Sequence, residues 1–168
     1  EEVIVKSTKM WGGKDTINYS VDAFKSKKDI VIGDVLKKIP GINVKESGEI
    51  TYKGKSINKF YIENMDMLQG RYGIATTNVS ADDISTVQVL ENHQPIKALD
   101  KTQFSSDAAI NLKIKEGKKG IFSIMAMLGL GMDKGLLWQE ELTGMYFGKG
   151  RQHLSTYKAS NNGTDISK

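Results

Sequence analysis

Few residues of this chain are of a type and spacing that support catalysis. His93 and His153 are its only histidines. They stand far apart, and neither has a second histidine at helical ligand spacing, so no metal or general-base arrangement is set up. Asp82-Asp83 reads as a pair of carboxylates, but neighbouring helical residues diverge, and the pair suits a helix start better than a shared proton. "GKKG" (117–120) and "GKGR" (148–151) lack the strand–loop–helix context of a phosphate loop, and "GLGMDKG" (129–135) is a partial glycine fingerprint. There is no cysteine, which excludes disulfides, thiolate zinc sites and a cysteine nucleophile. The expectation is a protein that is not an enzyme and carries no cofactor or metal. One segment supports recognition instead. Glu2, Val3, Ile4 and Val5 are β-branched or charged and precede a glycine hinge at Met10 to Lys14. Such a segment either adds as a strand to a partner's sheet or forms an edge strand of its own domain.

The 168 residues suffice for one ordinary domain plus part of another. A net charge of +4 with 26% charged residues gives a mildly basic surface. The lysines are scattered among carboxylates and form no stripe, so no nucleic-acid partner is expected. The opening "EEVIVKSTKM" has no basic start followed by an apolar run, so no signal peptide is read there. The stretch from Ile121 to Met132 is too short for a membrane-spanning helix, which needs about 20 apolar residues.

The elements that must position these residues follow from periodicity. Ile17, Tyr19 and Val21 alternate with polar residues as a half-buried strand. Ile32, Val35, Leu36 and Ile39 form one face of a short helix. Lys37 and Lys38 close it, and Pro40-Gly41 stop it. "INV" and "EITY" make a hairpin about Glu46-Ser47-Gly48, and "KFYIE" is a further strand. Asp66 to Thr77 reads as a loop. Ser80 with Asp83 reads as a capped helix start, the second of two expected helices, before a strand through Val87 and Val89. Ile110, Leu112 and Ile114 alternate with Asn111, Lys113 and Lys115 as a one-faced strand.

Composition changes at Glu116 to Gly120. Beyond it, Phe122, Ile124, Ala126, Leu128 and Leu130 alternate with Ser123, Met125, Met127, Gly129 and Gly131, and segments of about ten residues follow between glycine-lysine turns. This dyad pattern suits transmembrane β-barrel strands, and soluble β-sandwiches give it as well.

The order of "EEVIV", "DVLKKIPGINV", "KFYIEN", "ISTVQVLEN" and "SDAAINLKIK" resembles the plug domain of TonB-dependent outer-membrane receptors, of the Bacteroidetes type. Val35-Leu36, Pro40-Gly41-Ile42 and Val44 stand at one signature of that family. Ile84, Val87, Gln88, Val89 and Leu90 stand at a second, and Ala108 to Leu112 at the closing strand. Departures are Glu63-Asn64 for the family's Asp-Gly, Asn92-His93 for its Gly-Pro, and Lys53-Gly54 for its Arg-Gly. The resemblance implies an α+β fold: a small plug domain with a mixed β-sheet and two short helices, then antiparallel strands of a truncated transmembrane β-barrel. The expected organisation is an N-terminal extended segment at 1–14, the plug at 15–116 and the first barrel strands at 117–168, a piece of a larger protein.

The resemblance also implies a function. The plug gates import of a substrate through the barrel and is energised when the TonB C-terminal domain pairs with Glu2, Val3, Ile4 and Val5. The protein sits in the outer membrane with its N-terminus periplasmic. Partners are outer-membrane lipid, an unidentified imported substrate and, for this type, room for a surface lipoprotein lid. Two apical loops would face the substrate: Lys53, Gly54, Lys55 and Ser56, and the loop with Asp66, Gln69, Arg71 and Tyr72. Arg71 offers a forked cation and Tyr72 an amphipathic ring. The alternative is a soluble periplasmic or cell-surface interaction module, an α+β domain followed by a β-sandwich.

Overall fold

The computed structural model describes residues 9–45, 48–66, 68, 70–96, 105–120, 122–148 and 151–163. The chain divides into two compact units, Glu1–Lys115 and Glu116–Lys168. The first is a mixed α+β fold. Its elements are β1 (Met10–Gly12), β2 (Thr16–Ser20), α1 (Val21–Phe24), α2 (Ile32–Leu36), β3 (Ile42–Val44), β4 (Ile50–Tyr52), β5 (Lys55–Ser56), β6 (Lys59–Ile62), α3 (Tyr72–Asn78), β7 (Ile84–Leu90) and β8 (Ala109–Ile114).

A five-stranded sheet runs in the order β1-β2-β7-β8-β6. Neighbours are antiparallel except β6 and β8, which are parallel. One face aligns Tyr19, Val87, Leu112 and Ile62 in a row across the sheet, and Val89, Ile110 and Phe60 in the next. All seven are buried. Ile84 is out of step with Val87 and Val89 for a simple alternation, and a bulge between Ile84 and Thr86 returns it to the buried face.

Helix α2 forms where the apolar stripe predicts it. Ile32, Val35, Leu36 and Ile39 are all buried. The Asp34 carboxylate accepts from the Ile30 and Val31 amides, filling the cap that Val31 lacks. Past Leu36 the turn tightens, with Lys38 N–H donating to Val35 O and Ile39 N–H to Leu36 O. Gly41, at φ +84°, then turns the chain into β3. The three-stranded sheet β3-β4-β5 follows as an antiparallel meander.

Four expectations are corrected. Met10 to Gly12, read as part of a hinge, is an exposed edge strand paired with β2. Val21 leaves the strand and begins α1, whose Phe24 ring packs edge-on against Tyr19 at 5.8 Å. Asp66 to Thr77 is not wholly loop, because Tyr72–Asn78 is a helix. Ser80 caps only a single 3-10 turn, Ala81–Asp83, accepting from Asp82 N–H at 3.3 Å. The unit thus has three α-helices among the described residues where two were expected.

The reason for α3 lies in packing. Its sequence, with Gly73 and two threonines, is a poor helix former in isolation. The glycine is what fits: the Gly48 turn approaches so closely that a Cβ at position 48 would meet the Gly73 Cα. Gly33 of α2 lies as close to α3, since a Cβ there would be 2.5 Å from the Thr76 carbonyl oxygen. The hydroxyls of Thr76 and Thr77 turn back to the Gly73 carbonyl.

The second unit is an antiparallel sheet of three long strands, β9 (Phe122–Met132), β10 (Leu136–Gly148) and β11 (Arg151–Ser160), with β10 in the middle. It is an open sheet, and no barrel is closed among the described residues.

Candidate functional site

Lys53-Gly54 joins β4 to β5 in two residues. Both have positive φ, 49° and 82°, as a two-residue hairpin turn of right-handed twist requires. The turn is moored to the far end of β7. Lys53 Nζ is 2.7 Å from Glu91 Oε1, and the Tyr52 hydroxyl donates to the same oxygen at 2.8 Å. Lys53 also stands 5.2 Å from the centre of the Tyr52 ring. These bonds favour charge on both partners. The Lys53 hydrogen bond, then that from Tyr52, holds the Glu91 carboxyl below its usual range, and Glu91 raises Lys53. Burial, then the bond to Glu91, raises the Tyr52 phenol.

Lys55 Nζ reaches Ser106 Oγ at 3.2 Å, and the Ser56 hydroxyl donates to Glu49 Oε1 at 2.6 Å. Between this hairpin and the start of β8 lies an open cleft of about 280 Å³, lined by Tyr52, Lys53, Lys55, Glu91, Asn92, Ser106, Asp107 and Ala108.

The second expected loop meets the same end of the sheet. Asp66 pairs with Lys59 at the start of β6, and the pairing raises the Lys59 ammonium. The Tyr72 hydroxyl donates to Asn58 O at 3.1 Å, and its ring stacks on Phe60 at 5.8 Å. Burial pushes the Tyr72 phenol up. Asn58 links the two groups, because its amide donates to His93 O at 3.0 Å just beyond β7. The His93 ring is itself engaged, by Asn58 Oδ1 at 3.0 Å and the Tyr61 hydroxyl at 3.3 Å.

Of the residues named from sequence, Lys53 and Lys55 therefore line the cleft, and Gly54 sets its turn. Tyr72 is committed to packing. Arg71 is exposed, with no side-chain partner among the described residues. Gln69 and the segment Glu2, Val3, Ile4 and Val5, expected to add as a strand to a partner, lie outside the described residues. The opposite wall, Glu91, Asn92, Ser106 and Asp107, was missed. Glu91 closes the segment read as a strand and Asn92, Ser106 and Asp107 sit in what reads as plain loop, and only the pairing of β7 with β8 carries them to the hairpin. Among the described residues no group of three or more His, Asp or Glu side chains is placed to hold a metal ion.

The three-stranded sheet presents a second surface. Directly paired residues share a face, so Phe122, Ile124, Ala126, Leu128, Leu130 and Met132 of β9 lie beside Tyr146, Gly144, Leu142, Glu140, Trp138 and Leu136 of β10. Across β10 the same face continues into His153, Ser155, Tyr157 and Ala159 of β11. Across β9 and β10 it is largely apolar and exposed: Leu128 is 79% exposed, Leu130 81% and Met132 84%. The reverse face is mixed: Ser123, Met125, Met127, Gly129 and Gly131 of β9 pair with Met145, Thr143, Glu141, Gln139 and Leu137 of β10, and β11 adds Gln152, Leu154, Thr156, Lys158 and Ser160. No helix among the described residues is long and apolar enough to cross a membrane, which leaves the strands as the elements to weigh. Comparison of the chain with known protein families, with curated proteins and with solved structures finds no match.

Proposed function

We propose that the chain comprises the plug and first barrel strands of a TonB-dependent outer-membrane receptor. One observation carries the reading: the exposed face of the long-stranded sheet is the apolar one. A sandwich turns its apolar faces inward, and a soluble surface rarely leaves a contiguous apolar patch above a few hundred Å². A transmembrane strand instead sets apolar residues outward against lipid and polar or small ones inward, over about 9–11 residues. The strands here have 11, 13 and 10 residues; β9 and β10 set their larger apolar residues on that outward face, while β11 adds Tyr157 and Ala159 and turns polar at Ser155, His153 and Arg151.

The first unit suits a stopper in a wet lumen. It has its own core, and polar loops converge at one sheet end. In this reading that end, with Lys53, Lys55, Glu91, Asp107 and Arg71, faces the incoming substrate. Glu2 to Val5 pairs with the TonB C-terminal domain from the periplasmic side. The test is membrane fractionation of the whole protein, followed by gel migration with and without boiling. An outer-membrane protein that runs faster unboiled is the expected result. A soluble protein with no heat shift would sink the proposal and promote the interaction module.

A further inference from the structure

The exposed face of the β9–β10–β11 sheet has an organised rim. Phe122, Tyr146 and His153 form one transverse row, and Gly148 pairs with Arg151 one row further out. The two glycines of β10 on this face are covered by rings. A Cβ at Gly144 would come 3.1 Å from the Phe122 ring, and one at Gly148 would come 2.6 Å from the Tyr146 hydroxyl oxygen. Tyr146 therefore lies along its own strand with its hydroxyl directed outward, toward Arg151. An aromatic ring over apolar surface with its polar tip at the edge is how tyrosine sits at a membrane boundary. Trp138 holds the matching position toward the other end of β10. The rise from position 138 to 146 is about 26 Å along the strand. At the usual strand tilt this becomes roughly 20 Å, close to the height of an outer-membrane apolar band between its two aromatic girdles.

Arg151 is exposed, with no side-chain partner among the described residues. Arg151 stands where the apolar face ends, opposite Gly148 and one row beyond Tyr146, with His153 on the same face of its own strand. A planar fork of donors next to a hydroxyl donor fits a phosphate. We propose that Arg151, with Tyr146 and His153, holds the phosphate of an anionic lipid headgroup at this rim. The proposal rests on the membrane reading above and adds the ligand's class and place.

The test is flotation of the full chain, diluted from detergent onto vesicles of phosphatidylcholine alone or mixed with phosphatidylglycerol. Arg151→Gln should lower binding to the anionic vesicles about fivefold and leave binding to the neutral ones unchanged. Arg151→Lys should keep most of it. Lys28→Gln makes the same charge change at an exposed site in the other unit, and should alter neither. Equal losses in Arg151→Gln and Lys28→Gln would mean bulk charge and overturn the site, as would no loss in Arg151→Gln. Wild-type chain that floats with neither vesicle would overturn the membrane reading itself, whereas wild-type binding to both with an indifferent Arg151→Gln removes only the headgroup site.

Discussion

The Lys53 ammonium and the Glu91 carboxylate stand 38 residues apart in sequence and 2.7 Å apart in space. This pair holds the β4–β5 hairpin against the end of β7, and its strength depends on both charges. Glu91 is held below its ordinary value of 4.5, so its contribution is present above that pH and is lost as the pH falls through the lowered folded value. Lys53 is raised above 10.5, so its contribution is present below that pH and is lost in strong alkali. Asp29, bonded to Lys38, and Glu49, bonded to Lys45, shift in the same direction as Glu91. Urea midpoints measured against pH should fall below about pH 4.5, and Glu91→Gln should make that fall shallower. An unchanged acid limb in Glu91→Gln would show that the mooring contributes nothing.

Helices α2 and α3 touch through Gly33 and Thr76. Gly33→Ala places a Cβ 2.5 Å from the Thr76 carbonyl oxygen, a backbone atom that moves only with its helix. Overpacking of this kind costs about 1–3 kcal/mol, against less than about 1 kcal/mol gained from alanine's helix propensity. A lowered melting temperature is expected, by about 5 °C or more. Gly13→Ala serves as control, since a Cβ there meets nothing within 4 Å. Equal melting of the two variants would mean that α2 and α3 part freely.

A ladder of amides crosses the reverse face of the five-stranded sheet. Gln88 donates to Asn18 at 2.8 Å, and Asn111 donates to Gln88 at 2.7 Å and to Asn64 at 2.8 Å. Asn111 also accepts from the Asn64 backbone at 2.9 Å, and it is buried. Asn111→Ala leaves these partners unsatisfied and should cost about 1–3 kcal/mol. Asn111→Leu has the right bulk and the same defect, so it should do no better. A leucine variant as stable as wild type in a denaturant melt would show that the ladder is incidental.

Parts of the fold were legible because one local rule decided them. The stripe Ile32, Val35, Leu36, Ile39 has no other use than a helix face, and Pro40-Gly41 have no other use than its end. The alternation in β9 and β8 is as plain. Helix α3 was hidden because its residues are chosen for closeness to Gly33 and Gly48, not for propensity. The turn at Glu63-Asn64 has no glycine, yet both residues take positive φ, 50° and 66°, so it closes in two residues. Half of the candidate cleft was hidden for a different reason. Lys53 and Lys55 announce themselves in a tight turn, while Glu91 and Asp107 gain meaning only from the register of β7 and β8.

The receptor reading, which makes Glu2 to Val5 a strand-adding segment, yields a separate prediction. Pairing with a partner strand runs through backbone donors, and proline removes one. Ile4→Pro should weaken binding to the TonB C-terminal domain at least about tenfold, the loss of roughly one ladder hydrogen bond and its register, with no change in thermal melting. Unimpaired binding in a calorimetric titration would remove Glu2 to Val5 from that role.

Glu140 is the residue that divides the two readings of the second unit most sharply. It lies on the apolar face between Leu128 of β9 and Ala159 of β11, with Trp138 and Leu142 along its own strand. Against lipid, a carboxylate near the middle of the band costs up to about 2 kcal/mol, so Glu140→Leu should raise the urea midpoint of the protein in a bilayer. Without a bilayer the same face, which no second sheet of its own unit covers among the described residues, meets water, and Glu140 is the charge that breaks the patch. Glu140→Leu would then join Leu128, Leu130, Trp138 and Leu142 into one apolar surface and drive aggregation. Light scattering in detergent-free buffer and unfolding in lipid thus give opposite signs. A stabilised, bilayer-bound variant supports the barrel strands, and an aggregating variant with no gain in lipid would sink them.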